Sequence, residues 1–499
     1  MPHPEPVEFN YWVLIPTTAH LVIFITITLH ALHRRRAASA TLLWIFLAWT
    51  FPILGPLLYI TLSIDRVSRK NIARREAEKI IEQQRKKLHT ESAPHLAWNL
   101  EQPSQQITDQ SPRIARINTV VDNLNPEHPL LDGNRFIPLI SGDQAYPQML
   151  HSIRHATKHI HLQSFIINND TIGKQFIQAL EERAKAGVQV RLLYDAFGST
   201  KAHWTGLFHR YKKIPNLQIA AWKQANLLRR RFQINLRNHR KNLIIDGTTA
   251  FFGGVNIGND NRSCNGRTAI RDYHFRAEGP IVNELQFSFL SDWHFMSNEP
   301  IIDLLTATHF PINEPIGETP ARLIDSGPSS RPGMLSEIFF NCIVIARKQI
   351  LITTPYFVPT PEILTALRSA ARRGVDVKLI LPEKNNHKYA GLASKALYET
   401  LLSAGVRVYL RKPPFIHAKS MVIDRKIALI GTANLDIRSL ELNYESTILI
   451  ENKKTAGKIK HIIEEDIAAS TELDYEIWKQ RSNFNRLAEN FCSLLTPLL

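Results

Sequence analysis

Two runs far apart in the chain are built to one pattern. HRKNLIIDG at 239–247 carries His239, Lys241 and Asp246 at spacings that HAKSMVIDR at 417–425 repeats as His417, Lys419 and Asp424. From each histidine 17 residues lead to an asparagine, Asn256 closing GGVN and Asn434 closing GTAN. A single match of this kind is weak; two copies with matched downstream Gly and Asn are strong. The surroundings are duplicated too. HIHLQSFIINND followed by FIQALEERAKAGVQVRLLYD reads strand, helix, strand, and so does QILITTPYFVPT followed by EILTALRSAARRGVDVKLIL. Gly187 and Gly374 close the two helices. Strands alternating with helices predict an α/β sheet with parallel pairing, present as two similar domains.

Residues i and i+2 of a strand share a face, so His239 and Lys241 project together, as do His417 and Lys419. Asp246 and Asp424 fall on the opposite parity, in DG and DR where a hairpin turn is expected. Geometry therefore gives these two aspartates a structural task. Two histidines and two lysines brought together suit a phosphodiester. Lys241 and Lys419, with Asn256, Asn434 and Thr432, supply donors and charge to its oxygens. One imidazole can attack phosphorus while the other moves the proton of the alcohol. No His-Glu-x-x-His or Cys/His cluster suggests a metal, and no cofactor is called for.

The chain has 499 residues, which implies several domains, and Lys+Arg exceed Asp+Glu by 61 to 45, a formal charge of +16. That excess suits nucleic acid or an anionic membrane equally. The N-terminus favours the membrane: positions 11–32 and 40–63 contain no Asp, Glu, Lys or Arg. Each is long enough to span as a helix, and residues 1–10 lack the positive charge of a signal peptide. We expect a membrane hairpin over 1–65, a basic helix and linker over 66–121, and two repeats over 122–310 and 311–499. Arg66, Arg69, Lys70, Arg74, Arg75 and Lys79 after the second span, against Arg34, Arg35 and Arg36 between the spans, favour a cytoplasmic catalytic bulk. Three well-separated cysteines, Cys264, Cys342 and Cys492, suggest neither a disulfide framework nor zinc.

These motifs resemble the phospholipase D superfamily, whose signature is a duplicated His-x-Lys-x4-Asp. HAKSMVIDRKIALIGTANLDIRSLELNYE (417–445) is similar almost throughout to the second motif block of the bacterial cardiolipin synthase branch. GVQVRLLYDAFGS, TTPYFVPT, RDYHFRAEGP and the terminal LLTPLL resemble its other landmarks. The resemblance implies two phospholipase D-type domains packed with pseudo-two-fold symmetry behind a two-helix membrane hairpin. It implies a catalytic set made of the motif residues His239, Lys241, Asp246, His417, Lys419 and Asp424, with His239 as nucleophile and His417 as general acid/base. By motif position Glu445 would orient His239, and Asp272 would orient His417. The implied reaction converts two phosphatidylglycerol molecules into cardiolipin and glycerol, in a multi-pass protein of the bacterial inner membrane. The implied partners are phosphatidylglycerol and other anionic phospholipids, not nucleic acid. Ile270 stands where the family commonly has Trp, and Gln163 where it commonly has Glu, which bears on substrate recognition. A phospholipase D-type hydrolase, a transferase with another headgroup, and a nuclease are the competing readings.

Overall fold

A computed structural model describes residues 11–33, 38–60, 76, 78–85, 112–211, 213–222, 225–226, 231–232, 237–264, 266, 268–328, 331 and 333–494. The chain forms two units, 1–69 and 70–499. In the smaller, helix α1 (Tyr11–His33) has 23 residues, enough at ~1.5 Å per residue to cross a ~30 Å hydrocarbon core. The second expected span is not one helix. Helix α2 (Ala38–Thr50) stops ahead of Pro52, which has no N–H to continue the ladder, and the helix resumes at Leu54–Leu58. Among the described residues, one helix is long and apolar enough to cross a membrane. The pieces still pack: Ile27, Ala31, Ala48 and Tyr59 are buried together, and the His30 Nδ1 lies 2.7 Å from the Tyr59 hydroxyl. Gly55 lies so close to the Leu47 carbonyl that a Cβ would stand 2.1 Å from its oxygen.

The larger unit opens with residues 78–85, which are helical, and with α3 (Pro112–Leu124). The first lies where a basic helix was expected; the second begins inside the stretch expected as linker. Arg85 is buried and donates to Glu284 at 2.6 Å and to the Glu127 carbonyl at 3.0 Å. In α3, Ile117 and Val121 enter the core of the second repeat, while Arg113 donates to Asp424 at 3.1 Å. Ile114, Ile117, Val121 and Leu124 recur at helical spacing, so the periodic signal for this helix was present in the sequence.

The duplication is built into one sheet. The first half supplies β1 (Leu131–Ile140), β2 (His159–Ser164), β3 (Gln189–Asp195), β4 (Leu217–Trp222), β5 (Asn242–Ile245), β6 (Thr249–Gly253) and β7 (Tyr273–Glu278). The second supplies β8 (Thr319–Ser326), β9 (Gln349–Thr353), β10 (Asp376–Pro382), β11 (Arg407–Arg411), β12 (Ser420–Ile423), β13 (Ile427–Gly431), β14 (Glu445–Glu451) and β15 (Ser470–Glu472). Outward from the centre the halves run β1-β7-β6-β5-β2-β3-β4 and β8-β14-β13-β12-β9-β10-β11, with β15 added at one edge. The equivalent strands β1 and β8 pair antiparallel at the junction, Leu131 opposite Ala321, which relates the halves by an approximate two-fold.

Pairing is mixed rather than wholly parallel. β2-β3-β4 and β9-β10-β11 are parallel, and the remaining pairs are antiparallel. Connections decide this: α4 (Thr171–Lys185) crosses from β2 to β3, α5 (Pro361–Arg372) from β9 to β10 and α6 (Lys388–Leu402) from β10 to β11, whereas β5–β6 and β12–β13 are hairpins. Phe176 and Ile177 of α4 pack on Leu162, Leu192 and Phe251; Ile363 and Leu367 of α5 pack on Ile352, Leu379 and Leu429. A third core spans the junction through Phe136, Ala277, Leu323 and Ile450. Helix α7 (Asn483–Leu494) is the last described element.

Candidate active site

His239 and Lys241 stand just ahead of β5, not within it. The backbone here bonds the other half of the molecule: His239 N–H donates to the Tyr444 carbonyl at 2.9 Å, and Tyr444 N–H donates to the Arg237 carbonyl at 2.9 Å. The second half answers in kind. His417 N–H donates to the Arg271 carbonyl at 2.7 Å, and Arg271 N–H donates to the Phe415 carbonyl at 2.9 Å. Tyr444 and Arg271 immediately precede Glu445 and Asp272. Each motif histidine is thus docked, by backbone, beside the carboxylate of the opposite repeat.

The side chains complete the exchange. His239 Nδ1 lies 2.9 Å from Glu445 Oε2 and 3.1 Å from the Thr432 carbonyl. His417 Nδ1 lies 2.7 Å from Asp272 Oδ2. Both carboxylates are fully buried. An ionised carboxylate can only accept, so Glu445 puts the proton of a neutral His239 ring on Nδ1 and leaves Nε2 its lone pair. Asp272 favours the same tautomer of His417 against Lys419 Nζ, which stands 2.7 Å from that Nδ1. Lys241 Nζ donates to the His239 carbonyl at 2.6 Å; Lys419 donates to the His417 carbonyl and lies 3.9 Å from Asp272 Oδ2. Phe165, just beyond β2, sets its ring 5.0 Å from that of His239, and Tyr356, beyond β9, sets its ring 6.2 Å from that of His417.

Electrostatics follow from burial. Desolvation pushes Lys241 down to about 7 and Lys419 to about 8. It also lowers both histidines, His417 to about 4, with Lys419 adding to the effect and Asp272 opposing it. Burial alone would raise the two carboxyls. Lys419 and His417 nonetheless hold Asp272 below the usual range, and His239 and Lys241 do the same for Glu445. Such a centre, with cationic groups kept close to neutrality, gains charge when an oxyanion enters.

Asp246 and Asp424 do not join this centre. Asp246 accepts the backbone N–H groups of Thr157, Lys158 and His159 at 2.8, 2.8 and 2.9 Å. Asp424 accepts those of Arg347, Lys348 and Gln349 at 3.1, 2.7 and 3.0 Å. Both begin three-residue hairpin loops at positive φ, 53° and 50°, and so clamp the loop to the start of β2 or β9. Asn256 accepts from the Ile166 N–H at 3.3 Å, and Asn434 bonds Asp436, whose carboxyl burial raises to about 6. Thr432 directs its hydroxyl onto Glu445 Oε2 at 2.6 Å. Among the described residues no group of three or more His, Cys, Asp or Glu is arranged to hold a metal ion.

Sequence reasoning missed the layer behind the motif. Arg240, between His239 and Lys241, points the other way and is buried, donating to Asp292 at 2.6 Å and to Asp325. Asn238 and Gln163 donate to the same Asp292 oxygen at 2.7 and 2.6 Å. Gln163 therefore serves this network; a glutamate there would set two carboxylates against each other. Strand parity carried the signal, since a cation on the buried side of HRK must find an anion.

The comparisons agree with this geometry. Residues 149–293 and 339–467 match the family described as cardiolipin synthase, PLD-like domain. A cardiolipin synthase of Clostridium perfringens (strain 13 / Type A) is 33% identical over 482 residues, covering 93% of this chain and 95% of its own. The major cardiolipin synthase ClsA of Bacillus subtilis (strain 168) is 32% identical over 467 residues, with the same coverage of 93% and 95%. Among solved structures, phosphatidylserine synthase of Haemophilus influenzae Rd KW20 superposes with a TM-score of 0.57 at 15% identity, covering 77% of this chain and 98% of that one. At that identity the likeness speaks for the fold.

Proposed function

The chain belongs to the cardiolipin synthase family with a phospholipase D-like domain, and from that premise we propose that it joins two phosphatidylglycerol molecules into cardiolipin and glycerol through a phosphohistidine at His239. It is an enzyme of the phospholipase D type, a phospholipid phosphatidyltransferase. In the reading we favour, His239 Nε2 attacks the phosphorus of the first lipid while the P–O bond to glycerol breaks. His417, protonated, gives its proton to the departing alkoxide. The terminal hydroxyl of a second phosphatidylglycerol then loses its proton to His417 and attacks phosphorus. The P–N bond breaks, and His239 returns with its lone pair. Lys241, Lys419, Asn256 and Asn434 are assigned to the phosphoryl oxygens, and Thr432, whose hydroxyl goes to Glu445, to the positioning of that carboxylate. Asp272 and Glu445 hold the ring tautomers. The observation that carries this reading is the crossed pairing, in which each histidine meets a buried carboxylate of the other repeat.

Product analysis by mass spectrometry on phosphatidylglycerol micelles tests it, with His239→Ala and His417→Ala in parallel. Cardiolipin plus glycerol from the wild type, and neither from the variants, is the expected result. Phosphatidic acid in place of cardiolipin would make the enzyme a hydrolase.

We also assign the N-terminal unit to the bacterial cell membrane as a hairpin with the catalytic unit on the cytoplasmic side. Two uncharged segments, the length of α1 and the basic cluster after position 65 support this. Pro52 and Pro56 are tolerable in lipid. Cys264 is exposed and supplies the test: an impermeant maleimide should leave it unlabelled in intact spheroplasts and label it after permeabilisation.

A further inference from the structure

We propose that the catalytic unit carries its own bilayer-docking face, formed by the outer stripe of α7 and by the loop after β3, which seats the mouth of the site on a bilayer containing anionic phospholipid. The proposal rests on the phosphatidyltransferase reading, because only a lipid substrate requires the mouth to meet a bilayer.

Phe484, Leu487, Phe491 and Leu494 recur at helical spacing along α7 and are 79%, 69%, 64% and 76% exposed. They form one stripe. The opposite side of the helix is fixed to the protein: Cys492 is buried with Val358 and Ala393, and Arg481 bonds Glu489 at 3.0 Å. The stripe therefore faces outward by construction, not by fraying. It also lies next to the site. Val358 follows Tyr356, whose ring flanks His417 and whose hydroxyl donates to Asn386 at 2.8 Å, immediately ahead of α6 and its exposed Tyr389.

The first half repeats the arrangement with different residues. Beyond β3, Phe197 and Trp204 are 60% and 81% exposed. Arg237, two residues before His239, stacks its guanidinium 3.5 Å over the Phe197 ring. Gly198 backs onto Phe165, the neighbour of His239; a Cβ there would stand 2.9 Å from its ring. β3 and β10 are equivalent strands, and exposed Tyr389, in the helix on which α7 packs, follows β10 as Phe197 and Trp204 follow β3. Residues that emerge beside a site at the carboxyl ends of parallel strands share its open side.

Charge selects the partner. From 196 to 245 the sequence contains no Asp or Glu and 11 Lys or Arg. Of these, Lys201, Arg210 and Lys213 are exposed in the loop after β3; in the second half Lys384 and Lys388 are exposed beside Tyr389. Exposed apolar side chains with an excess of cations beside Phe197 and Trp204 match an anionic lipid surface.

The test uses the full chain in nanodiscs of phosphatidylglycerol and phosphatidylcholine, and in solution with a short-chain, monomeric phosphatidylglycerol. Phe484→Ser/Phe491→Ser is expected to lower turnover in the bilayer about tenfold and to leave kcat/KM on the monomeric lipid within about twofold. Equal losses on both substrates, or none on either, would overturn the proposal. A nitroxide at Phe491→Cys in a Cys264→Ser background reads depth independently of catalysis. It should be more accessible to oxygen than to a water-soluble nickel chelate in anionic nanodiscs. A water-accessible label, or dipolar broadening from a second copy, would also overturn it. If the wild type turned over no phospholipid at all, the function reading would fail while the depth measurement still judged the docking face.

Discussion

The two halves share a strand order and a hairpin, yet they hold their histidine partners differently. Glu445 is enclosed by donors: His239 at 2.9 Å, the Thr432 hydroxyl at 2.6 Å and the Asn443 amide at 3.2 Å. Asp272 has His417 at 2.7 Å and the N–H of Tyr273 at 2.8 Å, with Lys419 nearby. Thr432 of GTAN corresponds to Gly254 of GGVN. At Gly254 a Cβ would stand 2.0 Å from Asp272 Oδ1, so one repeat clamps its acid with a hydroxyl and the other makes room for it with a glycine. A caged carboxylate fixes one tautomer, which suits a nucleophile. A carboxylate shared between a ring and an ammonium lets the ring gain and lose its proton, which suits an acid/base.

The sharpest way to break this division is to remove the need for an acid. With a p-nitrophenyl phosphodiester the leaving group departs unprotonated. Glu445→Gln should then lose the nitrophenol burst by roughly 10³- to 10⁴-fold, as expected when a histidine loses its orienting carboxylate. Asp272→Asn should keep the burst and lose later turnover. Stopped-flow absorbance distinguishes them, and a burst preserved in Glu445→Gln would exchange the assigned roles. Next in size is the Gly254/Thr432 pair. Gly254→Ala forces Asp272 to move and should cost about 100-fold in kcat, the scale of an ångström misplacement. Thr432→Ala removes one hydrogen bond to a buried charge, worth ~1.5 kcal/mol at the lower end, and should cost about tenfold. If the lost hydroxyl hurt more than the added methyl, the glycine would not be there to admit Asp272.

The hairpin aspartates sharpen the comparison from the other side, because here the halves agree. Asp246→Asn and Asp424→Asn should each lower stability by ~1–3 kcal/mol, and nitrophenol release by the folded fraction should not change. Denaturant melts and kinetics check this together. Both carboxyls are held below their ordinary range by backbone N–H groups that outweigh burial. Their contribution is thus present above the ordinary carboxyl value and lost as pH falls through the depressed one.

This agreement explains what was legible in the sequence. Motif spacing and the DG turn are local, so the turn position of Asp246 could be read directly, whereas strand parity was applied to His239 and Lys241, which stand just ahead of β5. The bonds of Tyr444 to His239 and of Arg271 to Phe415 join segments outside regular strands and distant in the chain, and no periodicity announces them. The Arg240–Asp292–Gln163 network needs the register of the helix Ile281–Ser297 against the sheet, which sequence alone does not supply. The break of the second N-terminal span at Pro52 was visible as a residue but not as a consequence, because lipid tolerates what water does not.

The smallest expected difference between the halves is electrostatic. Burial brings Lys241 to about 7 and Lys419 to about 8. A bound oxyanion such as tungstate raises both, so binding at pH 8 should take up protons, and affinity should fall as pH rises through the Lys241 value. Without ligand the sign reverses for folding. Lys241 lies below its ordinary 10.5, so the unfolded chain binds more protons between the two values, and stability rises with pH across that window. Burial lowers Lys241 further than Lys419, which gives Lys241 more to gain. Calorimetry in buffers of different ionisation enthalpy counts the protons, and Lys241→Met should abolish more of the uptake than Lys419→Met. Equal losses would mean that the halves titrate alike, and the asymmetry would then reside in Thr432 and Gly254 alone.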